Sequence, residues 1–276
     1  MYNRASVNPA YAGTRATMDF FAHYRAQWGG VDGAPKTASV AMNTPLNNSK
    51  WGLGVGFYND QLGATTENDF SVNLSYAVEL NYEYKLAFGL KGSMNLMDVN
   101  YGKLYQLDPT DPVIGENISN EFTANIGFGL FLYSYKSYLG FSVPKVFQTD
   151  RLKEEEFKLM KQRAHMYVMG GYVFDLNPFL KFKPSFLTKV VSGAPIQVDV
   201  NANMMFNDKL TVGAAYRWDA SFSALAGFQG SKALFIGYTY DAETTKMKQY
   251  SSGTHEVFLR FELFTGKTRM NVPRFF

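Results

Sequence analysis

Three histidines, His23, His165 and His255, are the first candidates for metal or acid–base chemistry in this chain. Each lies on a different predicted strand, and no two are close enough in sequence to form a metal-binding motif. Zinc and related ions need several nitrogen, sulfur or oxygen ligands brought together at characteristic spacings. We therefore interpret the histidines as strand residues, and the sequence predicts neither a metal site nor a cofactor.

The segment Gly52-Leu-Gly-Val-Gly56 has the glycine spacing of a phosphate-binding loop. That motif works only where a strand ends and a helix begins, because the helix N-terminus holds the phosphate. Here the glycines alternate with Trp51, Leu53, Val55 and Phe57, which is a strand pattern. Since the sequence also lacks a nucleophile elbow, we expect no enzyme. A hydrolase with a serine and a histidine at the rim of a barrel remains an open alternative.

The alternation over residues 83–96 indicates that β-strands position the side chains of any functional site in this chain. Even-numbered positions are apolar, as in Leu86, Phe88 and Leu90, whereas odd-numbered ones are small or charged, as in Lys85 and Lys91. Successive side chains of a strand point to opposite faces, so one face is apolar throughout. The run exceeds the five or six residues usual in soluble sheets and is long enough for a tilted strand to cross a bilayer.

Composition also favours a protein that crosses a membrane with β-strands. Aromatic residues make up 16% of the 276 residues and charged residues 18%, and there is no cysteine. No run of 18 apolar residues is present, so a helical membrane protein is excluded. Half of each strand in a transmembrane barrel faces a polar interior, which explains the moderate hydrophobicity. A net charge of +3, with no concentrated basic stretch, argues against nucleic-acid binding.

Similar alternation recurs along the chain and predicts about fourteen antiparallel strands in one barrel domain. We expect residues 1–15 to lead into the barrel through a turn at residues 8–13, and residues 265–276 to form a tail. The long connections, at residues 99–119, 144–163 and 241–253, all follow odd-numbered strands. They therefore lie at one end, as in outer-membrane barrels with short periplasmic turns and longer extracellular loops.

Residues 144–163 are rich in charge and predict a short amphipathic helix whose apolar residues include Leu152 and Phe157. Such a helix is either a solvated loop element or a docking element for a partner. The inward positions Lys85, Lys91, Lys181, Lys183 and Arg260, with Glu83, Asp199, Glu256 and Glu262, predict a lumen of mixed charge. These charges either form structural ion pairs or line a channel.

Several strings resemble the PorP/SprF family of the Bacteroidota type IX secretion system. They are Asn-Pro-Ala-Tyr-Ala-Gly at residues 8–13, Arg25-x-Gln27-Trp28, Gly-Ala-Pro-Lys-Thr at residues 33–37, the glycine-rich strand followed by Asp60 and Gly63, Phe-Gly-Leu-Lys at residues 88–91, residues 138–144, and the ending Pro-Arg-Phe-Phe. The resemblance thus spans nearly the whole chain. Family members usually carry a signal peptide before the first string, so we expect this chain to be a mature or trimmed form.

The resemblance implies an outer-membrane barrel without enzymatic activity that works in type IX secretion or gliding motility. Its expected partners are a large secreted surface protein of the adhesin kind, held by its C-terminal domain, and secretion or periplasmic anchoring components. Candidate partner contacts are Arg25, Gln27, Trp28, Pro35 and Asp60, with Leu152 and Phe157 in the charged loop. The motif residues Arg25, Gln27, Trp28 and Pro35 are equally interpretable as residues that fix the barrel geometry. The alternative function is an outer-membrane channel for solute uptake.

Overall fold

The computed structural model describes residues 3–15, 17–46, 50–103, 117–147, 150–154, 157–161 and 163–263. Within these ranges no helix has the length and apolar character needed to cross a membrane. The described strands are β1 Met18–Ala26, β2 Lys36–Leu46, β3 Trp51–Leu62, β4 Thr65–Glu79, β5 Lys85–Val99, β6 Ile118–Tyr133, β7 Ser137–Val143, β8 Asp150–Glu154, β9 Phe157–Lys161, β10 His165–Tyr172, β11 Phe174–Asn177, β12 Leu180–Val191, β13 Gln197–Phe206, β14 Leu210–Arg217, β15 Ser221–Gln229, β16 Leu234–Glu243 and β17 Thr254–Leu263.

The strands form a closed antiparallel barrel in which sequence neighbours pair. β1 pairs with β17 from Met18 and Leu263 to Ala26 and His255, which closes the ring. β7 pairs with β10 and β10 with β12, so β8 and β9 stay outside the circuit, while β11 continues the path of β10 along β12. The circuit therefore has fourteen strand positions, as the alternation predicted.

The two faces of β5 separate as the sequence predicted. Ala87, Gly89 and Lys91 are buried and face the lumen, whereas Phe88 and Leu90 are exposed to 47% and 67% on the outside. An outer surface of this kind is what a hydrocarbon environment requires, because it buries no polar group in lipid.

The connections divide between two rims. We call the end where β1 runs into β2 the loop rim; its connections include residues 27–35, 63–64, 144–164 and 244–253. The opposite end, here the turn rim, has connections of at most five residues, at 47–50, 80–84, 134–136, 178–179, 207–209 and 230–233. Asn207 and Asp208 have φ values of 51° and 53°, the left-handed pair that a tight hairpin turn requires. The predicted asymmetry of connection length is confirmed.

The helix predicted within residues 144–163 is wrong. The described part of this connection is a hairpin, in which β8 and β9 pair from Asp150 and Lys161 to Glu154 and Phe157. Each run is only five residues long, too short for periodicity to separate a helix from a strand. The side chains of Leu152 and Phe157 lie outside the described residues.

Candidate functional site: the lumen and the loop rim

Residues 3–15 fold inside the barrel, and we call them the lumen segment. A helical turn at Arg4–Val7 begins after Asn3, whose side chain accepts a hydrogen bond from the Ser6 amide. A 3-10 turn at Pro9–Tyr11 begins after Asn8, whose side chain accepts one from the Ala10 amide. Asparagine followed by proline suits such a start, since the side chain caps a free amide and the ring fixes φ. The sequence predicted a turn here, but it missed that this turn lies within the lumen.

Glycines of the barrel wall make room for the lumen segment. A Cβ atom on Gly52 would lie within 3.0 Å of the Ala12 carbonyl, and one on Gly89 within 3.0 Å of the Pro9 and Ala10 backbone. A Cβ atom on Gly129 would be equally close to the Asn8 side chain. Gly52 and Gly89 therefore allow the close approach of two backbones, and Gly129 makes room for the Asn8 side chain.

Hydrogen bonds tie the lumen segment to the wall on several sides. The Asn8 amide nitrogen donates to the carbonyls of Leu130, at 3.0 Å, and Phe141, at 3.4 Å. The Ser75 hydroxyl donates to the Ala12 carbonyl at 2.6 Å. These contacts connect the segment to β4, β6 and β7, and they satisfy polar groups that would otherwise be buried without partners.

A buried ion pair fixes the end of the lumen segment that leads into β1. Arg15 and Glu262 are 2.5 Å apart, and each side chain is only 7% exposed. Glu262 belongs to β17, so the pair joins the start of the chain to the strand that closes the barrel. A buried charge is tolerated only when it is paired and hydrogen-bonded, so this contact favours a single position of the segment.

Aromatic and apolar contacts extend across the lumen. The Arg4 guanidinium lies 4.4 Å from the centre of the Tyr138 ring, and Tyr11 meets Phe131 edge-on at 5.6 Å. Ala5, Ala10 and Tyr11 belong to one buried cluster, whose wall residues are Ala87, Phe131, Tyr138, Met169, Val173 and Met205. The segment thus packs between β5 on one side and β10 to β13 on the other.

Two cavities flank the lumen segment. One, of about 160 Å³, lies toward β12–β17, where Arg217 and Asp199 form an ion pair at 2.9 Å. The other, of about 340 Å³, lies toward β2–β5 and is lined by polar side chains such as Asn73, Lys91 and Asn95. The lumen is therefore divided rather than open along one wide path through the described residues.

The charged lumen that the sequence predicted is present, although not every residue contributes. Lys91, Lys183, Arg260 and Glu262 are buried inside the barrel. Three others lie at the turn rim instead: Lys85 pairs with Glu79 at 2.8 Å, Lys181 pairs with Asp208 at 2.7 Å, and Glu83 is in the exposed turn 80–84. Among the described residues, no group of three or more His, Asp or Glu side chains is placed to hold a metal ion.

The predicted contact residues near the first loop lie at the loop rim. Arg25 turns inward, with its guanidinium 3.0 Å from Asp241 and 3.7 Å from Glu256. Pro35 is buried, and its carbonyl accepts a hydrogen bond from the Gln27 amide at 2.9 Å. Trp28 has a φ of 48° and its amide donates to Thr254, while Asp60 accepts from the Thr37 hydroxyl at 2.6 Å. All five therefore have structural contacts, and Gln27, Trp28 and Asp60 keep partly exposed side chains.

Backbone hydrogen bonds join neighbouring connections of the loop rim. Gly29 makes two hydrogen bonds across the seam: its amide donates to the Gly253 carbonyl at 2.8 Å, and its carbonyl accepts from the Ser252 amide at 2.9 Å. The Gly63 amide donates to the Gly33 carbonyl at 2.9 Å. The connections at residues 244–253, 27–35 and 63–64 thus form one continuous surface around the barrel closure.

Comparison with known proteins identifies the family. The model of a family described as "Type IX secretion system membrane protein PorP/SprF" matches residues 1–261. No curated protein sequence is significantly similar to the chain.

Solved structures share the fold at low sequence identity. A CymD monoaromatic hydrocarbon channel has a TM-score of 0.60 at 10% identity, covering 96% of this chain and 94% of that one. The Ralstonia pickettii toluene transporter TbuX has a TM-score of 0.56 at 10% identity, covering 92% and 91%. Omp33 of Acinetobacter baumannii has a TM-score of 0.51 at 9% identity, covering 91% and 100%. These likenesses concern architecture alone and place the chain among outer-membrane barrels.

Proposed function

Because the chain belongs to the PorP/SprF family of type IX secretion system membrane proteins, we propose that it anchors a large secreted protein at the cell surface. The barrel resides in the outer membrane and holds the C-terminal domain of that protein through its outward-facing loops. No chemical reaction is part of this role. Its further partners are components of the secretion system, which meet the barrel from the periplasmic side.

The observation that carries the proposal is that the lumen segment occupies the interior of the barrel. Asn8 and Ala10 are fully buried and the lumen segment touches the wall from β4 to β13, so the interior is occupied by the protein's own chain. A folded domain of a partner therefore has to bind at a rim. The loop rim offers the larger surface, since it carries both the β8–β9 hairpin and three other connections that are linked by hydrogen bonds.

Within this surface, two regions are proposed to make the contact. One consists of the exposed parts of Gln27, Trp28 and Asp60 around the barrel closure, on the scaffold that Arg25 and Pro35 fix from within. The other is the β8–β9 hairpin with Leu152 and Phe157. Aromatic side chains on a rigid backbone are common anchors of protein interfaces, which favours Trp28 as a central contact.

The test is affinity purification from native membranes in mild detergent, followed by mass spectrometry. In the test variant, residues 150–161 are replaced by a short Gly-Ser linker, which leaves residues 144–147 in place. The matched control is Tyr82→Ala in the exposed turn 80–84 at the turn rim. We expect one dominant large secreted protein with the wild type and the control, and its loss with the linker variant. Equal recovery with all three would contradict a role for the hairpin, and recovery of the barrel alone from the wild type would contradict anchoring.

A second candidate, a channel for small solutes, is favoured by the two lumenal cavities of about 160 and 340 Å³. The fold neighbours CymD and TbuX are described as a hydrocarbon channel and a toluene transporter, so the same barrel architecture occurs in proteins that pass small solutes. Planar-bilayer recordings separate the two functions. A large steady conductance of the wild type would favour the channel, whereas a closed barrel that opens only when residues 3–14 are deleted would favour the anchor.

A further inference from the structure

Lys91 is buried in the lumen without a counter-charge in contact. It lies on β5, is 7% exposed and lines the cavity of about 340 Å³ beside the lumen segment. Asp69, a carboxylate of the same cavity, is instead 2.6 Å from the ammonium of Lys145. In the described part of the chain, Lys91 makes neither a salt bridge nor a hydrogen bond. A buried cation of this kind is costly unless an anion or polar ligand completes its coordination.

Three asparagines of the same cavity present unpaired acceptors. Asn43, Asn73 and Asn95 are each 4% exposed, and the amide oxygen of each has no hydrogen-bond partner among the described residues. Two orientations are fixed by neighbouring acids, since the Asn43 nitrogen donates to Asp19 at 3.3 Å and the Asn95 nitrogen to Glu67 at 3.2 Å. The oxygens of these two therefore remain as acceptors, which can pair only with a donor.

From this arrangement we infer that the cavity binds the free C-terminal end of an extended polypeptide. A chain end carries one carboxylate, which Lys91 neutralises, directly beside backbone N–H groups, which the asparagine oxygens accept. A simple anion would use the lysine and leave the acceptors unpaired. A volume of about 340 Å³ holds roughly ten water molecules, enough space for the last residues of a chain.

The cavity also has an approach from the loop rim. Pro144 and Lys145 line it, and they lead from the end of β7 toward the β8–β9 hairpin. The chain after β7 is held against the wall where the Val146 amide donates to Ile126 at 2.8 Å and the Phe147 amide donates to the Asn125 side chain at 3.0 Å. This inference rests on the proposed function, because the bound chain end would be that of the anchored surface protein.

The experiment measures binding of fluorescent tetrapeptide pools to the purified barrel in detergent by fluorescence anisotropy. The pools carry the label at the N-terminus and are randomised at the other positions; one pool ends in a free carboxylate and the other in an amide. We expect the acid pool to bind at least tenfold more tightly than the amide pool. Lys91→Met should remove this preference, and Lys209→Met, at an exposed position of the turn rim, should leave it unchanged.

Two comparisons make the result decisive. Equal binding of the acid and amide pools to the wild type would overturn the inference, without requiring any protein variant to fold. Displacement of the acid pool by N-acetylalanine as effective as by unlabelled tetrapeptides would also overturn it, by showing a site for small carboxylate solutes. The native-membrane purification reports on the proposed function separately: a surface protein recovered in full while the two pools bind equally would leave anchoring intact and reject only this cavity.

Discussion

Replacing Gly89 by alanine tests whether the lumen segment is held by close backbone packing. Gly89 lies on β5 and faces inward, where an added Cβ atom would lie within 3.0 Å of three backbone atoms of Pro9 and Ala10. Backbone atoms cannot rotate away as the end of a flexible side chain can. The lumen segment must therefore shift or detach when the methyl group is present.

The expected size of the effect follows from the cost of overpacking. An extra methyl group in a tightly packed interior costs about 1–3 kcal/mol. Each 1.4 kcal/mol corresponds to a factor of about ten in an equilibrium constant, so the open population of the lumen segment should rise roughly five- to 150-fold. The barrel strands should be little affected, since their ladder does not depend on the segment.

Hydrogen–deuterium exchange of the purified protein, read by mass spectrometry, measures this opening directly. Amides of Ala10, Tyr11, Ala12 and Thr14 are hydrogen-bonded within the segment, so their exchange reports its release. The matched control is Gly92→Ala on the same strand, where the added Cβ atom would meet nothing within 4 Å. This control carries the same change in backbone freedom, which is worth about 0.4–1 kcal/mol.

We expect faster exchange over residues 3–15 in Gly89→Ala and wild-type exchange in Gly92→Ala. The same exchange in both variants would refute the packing of the lumen segment against β5. Faster exchange throughout the barrel in Gly89→Ala would refute the expectation that the lumen segment opens without disturbing the strands of the wall.

Three further predictions concern the anchoring of the segment and the membrane face. Asn8→Ala removes both a cap and a donor to the wall, so exchange over residues 3–15 should rise by the equivalent of about 1–3 kcal/mol. Asn8→Asp keeps the cap but buries a carboxylate against the Leu130 and Phe141 carbonyls, so exchange should rise at least as much as in Asn8→Ala, and wild-type exchange in both variants would contradict the anchoring role of Asn8. Arg15→Met leaves Glu262 buried without this partner and should destabilise the barrel by about 3–5 kcal/mol in thermal unfolding; adding Glu262→Met should recover stability, and no recovery would contradict a pairwise role. Leu90→Lys should cost about 2–4 kcal/mol in folding into lipid vesicles, whereas Leu90→Met should be neutral; equal yields would contradict a lipid-facing position.

The barrel itself was predictable because the membrane imposes a strict pattern on its strands. An apolar outer face against a small or polar inner face produces a period of two, and residues 83–96 show it without interruption. The lengths of the connections further predicted that the long loops lie at one end of the barrel and the short turns at the other. The alternation also contains the inward direction of the Arg25 side chain. Arg25 is an odd-numbered residue of β1, like Asp19 and Phe21, whose side chains face the lumen.

The lumen segment was not predictable from its own residues. Asparagine, proline and glycine at residues 8–13 form the same turns in solvent and in a lumen, so local chemistry does not report the location. The available signal lay elsewhere, in Gly52, Gly89 and Gly129 on inner faces of separate strands. Only the three-dimensional arrangement shows that these glycines meet one segment.

The most direct test of anchoring at the loop rim is site-specific photocrosslinking in native cells. A photoactivatable phenylalanine analogue is placed at Asp32, exposed in the first loop, or at Tyr82, exposed at the turn rim. We predict that Asp32 crosslinks to one large secreted surface protein, with the attached peptide lying in its C-terminal domain, and that Tyr82 does not. Crosslinking of that protein from Tyr82 alone, or from neither position, would contradict the account.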